Sequence, residues 1–240
     1  ARSCVSETAL KAIEDYQNEF RFHFPHEHRP AARPAKTTSL TPVMAAKNAS
    51  FTVVNGWERV EYFKPSEDFQ PSLSFHFDET FDIVAREVSN VRDNVGLCEV
   101  NGFNRFEITG SDSQSFIDRL FCGNITHKPG RVGLGYLLND FGMVKSEATI
   151  ANIPASDRGP NRMWYGSAAA SEFHDMDWLK QHLKADEEVE IKSLTNDQTI
   201  LLLAGPNARE VLASCSREDW SKEAFPWLSV RECFIGFSPA

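Results

Sequence analysis

"GYLLNDFGMVKSEATIANI", residues 135–153, holds two apolar stretches about a short polar break at Asn139–Gly142. It predicts two strands folded back on each other about a tight turn. Side chains alternate across a strand, so Val144, Ser146, Ala148 and Ile150 are expected on one face and Lys145, Glu147 and Thr149 on the other. The second strand reads as core yet carries a carboxylate in its middle. Either Glu147 faces water and pairs with Lys145 or a cross-strand cation, or it lines a cavity.

Outward from this hairpin, helices alternate with strand pairs. Residues 95–100 and 104–109 alternate like strands. A helix follows Gly110-Ser111, with Ser111 and Gln114 as a capping box and Phe116, Leu120 and Phe121 turned inward. Past the hairpin come a strand at 162–167, a helix at 171–183 and strands at 189–194 and 199–204. Pro206 then sits at the first position of a short helix, where its missing N–H costs nothing, and a last strand lies near 229–235.

Toward the N-terminus, residues 6–20 predict a helix with Ser6 as N-cap and Leu10, Ile13 and Tyr16 at helical spacing. Residues 23–42 contain four prolines and read as an extended connector. Residues 49–63 predict a hairpin about Asn55-Gly56. Asp78 is expected to cap a helix whose apolar stripe is Phe81, Val84, Val88 and Val91. The pattern points to an α+β fold, antiparallel sheets with helices packed on one side.

The chain has 240 residues, 41% hydrophobic and 25% charged, enough for a sizeable core. Its net charge of -9 argues against nucleic acid or an anionic membrane as partner. The longest apolar runs are far short of the ~20 residues that span a bilayer. The five cysteines are scattered and form no CxxC pair, so neither a disulfide framework nor a zinc knuckle is indicated. A reducing cytoplasm, or a mitochondrial matrix in a eukaryote, fits this usage. Asn48-Ala-Ser50 and Asn124-Ile-Thr126 match the glycosylation pattern, but without a secretory signal both are read as chance. A first residue other than Met and the abrupt ending "IGFSPA" are expected of a piece of something longer.

Three motifs invite chemistry. His23, His26 and His28 could ligate a metal only if the proline-rich connector folded back sharply, and a polar connector is the plainer reading. "GRVGLGY" reverses the dinucleotide fingerprint and leads into a strand, so no helix N-terminus awaits a pyrophosphate; it reads as a flexible lead-in to the hairpin. His174-Asp175-Met176-Asp177 reads as a solvated helix edge beside the packed Trp178 and Leu179. No Gly-x-Ser-x-Gly stretch supports an esterase nucleophile.

"RDNVGLCEVNGFNRFEITGSDSQSFIDRLFCGNI", "GRVGLGYLLNDFGMVKSEATIANI", "WYGSAAASEFHDMDWLKQHL", "ILLLAGPNAREVL" and "FPWLSVRECFIG" follow one another in this order. Together they resemble the folate-binding aminomethyltransferase fold, the T-protein fold of glycine cleavage. Residues 23–63 are similar to the segment that joins the flavin half to the folate half in dimethylglycine and sarcosine dehydrogenases. The resemblance implies residues 1–45 as a linker helix and connector from an absent FAD domain. It implies residues 46–240 as the folate-binding domain, incomplete because the family continues with a "Y-x-G-E-x-G" stretch and a C-terminal barrel.

The resemblance also implies the activity. The flavin half oxidises an N-methyl amine of the dimethylglycine or sarcosine type, and tetrahydrofolate in the folate half captures the one-carbon unit as methylene-tetrahydrofolate. No flavin fingerprint is present, so FAD is expected only in the absent half. Partners are then folate, the small amine product and the rest of the same polypeptide. In the family a carboxylate, usually Asp, lies on the strand after the "LLN-x-x-G" turn; its offset from Asn139 and Gly142 makes it Glu147 here. A fixed anion stabilises a developing cation and can orient or accept a proton. Tyr136 and Leu138 are further candidates for lining the folate site. A non-catalytic relative, keeping the fold as a folate-binding or interaction module, is the competing expectation; it places Glu147 on a solvated face.

Overall fold

A computed structural model describes residues 5–123, 125, 127–157 and 159–240. Cys4, Asn124 and Thr126 lie outside the described residues. The chain divides into two compact units, residues up to 100 with 201–206, and residues 101–200 with 207–240.

In the first unit, α1 (Val5–Gln17) forms as expected, with Ser6 inside it rather than capping it. It buries no residue, so the Leu10, Ile13, Tyr16 stripe is open. After the connector and the short α2 (Thr41–Ala45), β1 (Ala49–Val54) and β2 (Trp57–Phe63) make the expected hairpin. Asn55 and Gly56 both take positive φ, the geometry whose twist matches a two-residue hairpin. Glu58 is buried and is held by a two-point hydrogen bond from Arg33.

Asp78 caps α3 (Glu79–Asp93), accepting from the Thr80 N–H at 2.9 Å. The stripe expected to be inward is half-buried at Val91 alone. Phe81, Val84 and Val88 are exposed, whereas Thr80 and Ile83 are buried. Two polar anchors set this rotation: Thr80 Oγ1 meets His26 Nε2 at 2.9 Å, and Glu87 accepts the Phe63 N–H at 2.8 Å. β3 (Gly96–Glu99) pairs with β10 (Leu201–Ala204), which completes this unit.

The second unit is built on a six-stranded antiparallel sheet. β4 (Phe106–Thr109) is followed by α4 (Ser113–Leu120), then β5 (Phe121–Cys122), β6 (Arg131–Leu138), β7 (Val144–Ile153) and β8 (Arg162–Gly166). A 3-10 turn (Ala169–Ser171) leads into α5 (Glu172–Gln181), and β9 (Glu190–Ser193) closes the sheet in the order β5-β6-β7-β8-β4-β9. Phe116 and Ile117 of α4 and Leu179 of α5 pack on Phe106, Ile108, Leu137, Ile150, Met163 and Tyr165, all from one face of the sheet. The helices therefore lie on one side, the α+β arrangement expected. Gly133 and Gly135 belong to β6 itself, and a Cβ on Gly135 would meet Ile125 and Phe121, so "GRVGLGY" is strand rather than flexible lead-in.

Two local expectations fail. α4 has no side-chain cap; Ser111 Oγ donates to Glu188 and Gln114 to Asp118, so the long-range partner displaces the capping box. After Gly205-Pro206 the helix starts later, as α6 (Ala208–Cys215). The final segment contributes only β11 (Phe234–Ile235) and β12 (Ser238–Pro239), with Ser229 making an isolated bridge to Arg131.

Candidate functional site

The β6–β7 hairpin is closed by Asn139, whose Oδ1 accepts from the Phe141 and Met143 N–H groups at 3.0 and 2.9 Å. Gly142 takes φ +76, a conformation that a Cβ disfavours. Register places Tyr136 opposite Glu147 and Leu137 opposite Ser146, then shifts so that Leu138 meets Val144. This bulge leaves Lys145 as the extra residue and takes Val144 out of phase. Ser146, Ala148 and Ile150 are buried on the helix-covered face as expected, whereas Val144 is exposed. Lys145 lies over the Trp178 ring at 4.6 Å instead of beside Glu147.

Glu147 points away from the core, on the uncovered face, and is exposed, the solvated placement expected of a non-catalytic relative. The ion pairs of this unit, among the described residues, use other carboxylates. Its neighbour is the Tyr136 phenol, whose ionisation is raised above the ordinary tyrosine value by hydrogen bonding to Glu147 and then by that residue's charge. Leu138, half-buried, lies two residues further along β6. Thus Tyr136 and Glu147 come together, with Leu138 beside them.

A raised value in the folded state means the folded chain releases this proton later than the unfolded one. The contribution of the contact is therefore complete below the ordinary tyrosine value near 10.0 and is lost as pH rises through the raised one. In Glu147→Gln, Tyr136 is expected to titrate closer to the ordinary value, read as tyrosinate absorbance against a Tyr136→Phe control.

Trp164 was not among the sequence candidates. It shares the uncovered face, opposite Ala151 and next to Thr149, which pairs with Gly166. Its indole lies across Gly166: a Cβ there would stand 2.5 Å from Cη2 and 2.6 Å from Cζ3. Nε1 donates to Gln198 at 3.3 Å, which fixes the ring at its edge. A side chain at 166 would therefore displace the indole from this position. Gly166→Ala is expected to lift the indole at a cost of about 1–3 kcal/mol, the usual range for overpacking, visible as a changed tryptophan emission and a lowered Tm.

Behind Glu147, on the covered face, the structure corrects one reading. Asp175 is not on a solvated edge; it is 0% exposed. Its Oδ2 accepts from Ser146 Oγ at 2.9 Å, Tyr165 OH at 2.6 Å and Ser167 Oγ at 2.5 Å, and His174 Nδ1 lies 3.0 Å from Oδ1. Ser167 Oγ in turn accepts from Asn104 Nδ2 at 2.7 Å. Burial, and then the hydrogen bond to Asp175, pushes the Tyr165 hydroxyl far above its ordinary value. The signal was present in the sequence: Asp175 precedes the packed Leu179 by four residues, which puts both on one helix face.

The three connector histidines do not converge. His23 sits beside Arg29, while His26 and His28 approach the two oxygens of Glu61 at 2.6 and 3.1 Å. Among the described residues no group of three or more His, Cys, Asp and Glu is arranged to hold a metal. A cleft of about 670 Å³ lies elsewhere in the first unit, lined by Lys11, Asp15, Arg29 and Arg33 among others. Its charges are largely taken up in pairs such as Lys11–Glu14, Arg29–Asp15 and Arg33–Glu58, so its size does not make it the chemical centre.

An antiparallel sheet covered on one side, with a carboxylate and a phenol on its open side, defines the class of fold that comparison then identifies. Residues 40–240 match the GCVT N-terminal domain, and the chain belongs to that family. It is 31% identical over 234 residues to the mitochondrial dimethylglycine dehydrogenase of Rattus norvegicus, covering 97% of this chain and 27% of that protein. It is 33% identical over 153 residues to sarcosine oxidase subunit alpha of Rhizobium meliloti (strain 1021), covering 62% of this chain and 15% of that one. The chain thus spans about a quarter or less of these relatives' length. Among solved structures, the glycine cleavage system aminomethyltransferase T of Bartonella henselae superposes with a TM-score of 0.64 at 17% identity, over 83% of this chain and 48% of that one, which shows the fold. No helix among the described residues is long and apolar enough to cross a membrane.

Proposed function

We propose that the uncovered face of the six-stranded sheet holds tetrahydrofolate, and that the chain takes part in passing a one-carbon unit from an oxidised N-methyl amine to it. The observation that carries this reading is the place of Glu147 on the strand after the Asn139–Gly142 turn, opposite Tyr136 in the ladder and without an ion pair among the described residues; its exposure also fits the non-catalytic reading, and the coupling test below separates the two. Tetrahydrofolate, when bound, supplies the nitrogens that capture the one-carbon unit, with methylene-tetrahydrofolate as product.

The donor set fits such a ligand. A flat, partly apolar ring with N–H groups suits a concave pocket with a few convergent polar groups, and the open face around Glu147 is what this unit would contribute to one. Leu138 and the Trp164 indole give apolar surface, and Glu147 accepts hydrogen bonds. Glu147 would stabilise positive charge developing beside it and hold a proton leaving a nitrogen. Tyr136 would keep the carboxylate oriented by donating to it. Where the family usually has Asp, Glu147 carries one more methylene, and the Tyr136 contact supplies the restraint a longer side chain needs.

In this reading, amine oxidation belongs to an FAD domain of the same polypeptide, and residues 1–45 connect it to a folate domain that begins near residue 46 and continues into a C-terminal barrel. The compartment is the cytoplasm, or the mitochondrial matrix in a eukaryote; the rat relative is named as mitochondrial. The test uses the intact protein that contains this chain: amine oxidation and methylene-tetrahydrofolate formation are followed separately, with and without Glu147→Gln. Oxidation is expected to persist while folate coupling falls. Unchanged coupling would sink the assignment.

A further inference from the structure

We propose that Asp175 is the positioning residue for Glu147, acting through Ser146 on the opposite face of β7; this rests on the reading of Glu147 given above. The β7–β8 ladder runs from Ile153–Arg162 only as far as Thr149–Gly166. Beyond it the continuation of β8 stays with the β4 side, where the Asn104 N–H bonds the Ser167 carbonyl at 2.9 Å and Phe103 bridges Ala168. The β7 segment carrying Ser146 and Glu147 is left with backbone pairing to β6 alone, at Leu137 and Tyr136. On that pairing side the register breaks one step later, at the bulge. A strand end paired on one side and bordered by a bulge is the part of a sheet least fixed by its ladder.

Asp175 closes this gap with side chains. One carboxylate oxygen accepts from Ser146 on β7 and from Tyr165 and Ser167 on the β8 side, so three hydroxyls from two separated strands meet at a single atom. The carboxylate is 0% exposed, and Asn104 fixes Ser167 from behind with both halves of its amide. Hydrogen bonds to an ionised acceptor are the stronger kind, and in a buried site water does not compete for them. Ser146 and Glu147 are consecutive, so anchoring one Cα on the core side fixes where the next side chain leaves on the open side. The device sets the distance from Glu147 to Tyr136 and to whatever lies over Trp164.

The test is made in the intact protein with Ser146→Ala, which removes one hydroxyl and leaves the Asp175 charge and the core in place, alongside Asp175→Asn and Glu147→Gln. A fluorotyrosine at residue 136, read by fluorine NMR, reports its own titration independently of turnover. Its midpoint is expected to fall in Glu147→Gln and to fall part of the way in Ser146→Ala and Asp175→Asn. Folate coupling in Ser146→Ala is expected to drop about tenfold with the KM for tetrahydrofolate little changed, since a misplacement of ~1 Å can cost ~100-fold. A purely structural role for Asp175 predicts a lower Tm with the Tyr136 midpoint where the parent has it, and that result in Ser146→Ala overturns the proposal. Coupling that survives Glu147→Gln overturns the functional reading instead, so the two failures are distinguishable.

Discussion

Asp175→Ala is expected to destabilise the second unit by about 3–5 kcal/mol, because it strands three buried hydroxyls at ~1–3 kcal/mol for each unsatisfied group, moderated by whatever water enters the space. Ser146, Tyr165 and Ser167 all lose their acceptor, and Tyr165 cannot swing away because its ring stacks on Phe106 at 5.3 Å and meets Phe121 edge-on. A domain of ordinary stability has only ~5–15 kcal/mol in hand, so this one side chain decides whether the unit stays folded at elevated temperature. Denaturant unfolding of the intact protein measures it. An unfolding midpoint for this unit unchanged from the parent would show that the network contributes nothing. Asp175→Asn keeps an acceptor oxygen and is expected to cost clearly less, which separates loss of the acceptor from loss of volume.

Glu147→Gln is expected to lower folate coupling by roughly 100- to 1,000-fold while leaving the fold intact, a range typical of removing one proton-transfer or charge-stabilising group. The side chain is exposed and makes no ion pair among the described residues, so its replacement by an isosteric amide disturbs no packing. A Tm only slightly below the parent's, from loss of the exposed Tyr136 contact, combined with lost coupling is the expected pair of results. Loss of Tm together with coupling would instead assign Glu147 a role in holding the hairpin. Glu147→Asp, which shortens the reach by one methylene toward the residue usual in the family, is expected to retain part of the activity.

The two carboxylates show what the sequence disclosed and where it misled. Glu147 was placed on the open face by alternation alone, and β7 bears that out through Ser146, Ala148 and Ile150. Alternation failed at Val144, where a bulge inserts Lys145, because register is a property of two strands and not of one. Asp175 looked like solvated helix because its neighbours His174 and Asp177 are polar, yet it is the most buried acid of the unit. Its three partners come from positions 146, 165 and 167, and nothing in a linear reading brings those hydroxyls to one atom. The stripe of α3 failed for the same kind of reason: hydrophobic periodicity named Phe81, Val84 and Val88, but the anchors Thr80–His26 and Glu87–Phe63 come from elsewhere in the chain and turn the helix.

By itself the sequence determined the α+β class, the two hairpins about Asn55-Gly56 and Asn139–Gly142, the Asp78 cap and the family to which the chain belongs. These depend on local turn chemistry and on a period of two or 3.6, which a few consecutive residues carry. The tertiary structure alone decided that the Trp164 indole lies against Gly166, that Lys145 leaves Glu147 for Trp178, and that Asp175 ties β7 to the β8 side behind Glu147. Each of these is a contact between residues distant in sequence or on opposite strands, fixed by register and packing, and burial of a charge becomes affordable only once the donors that satisfy it have been assembled by the fold.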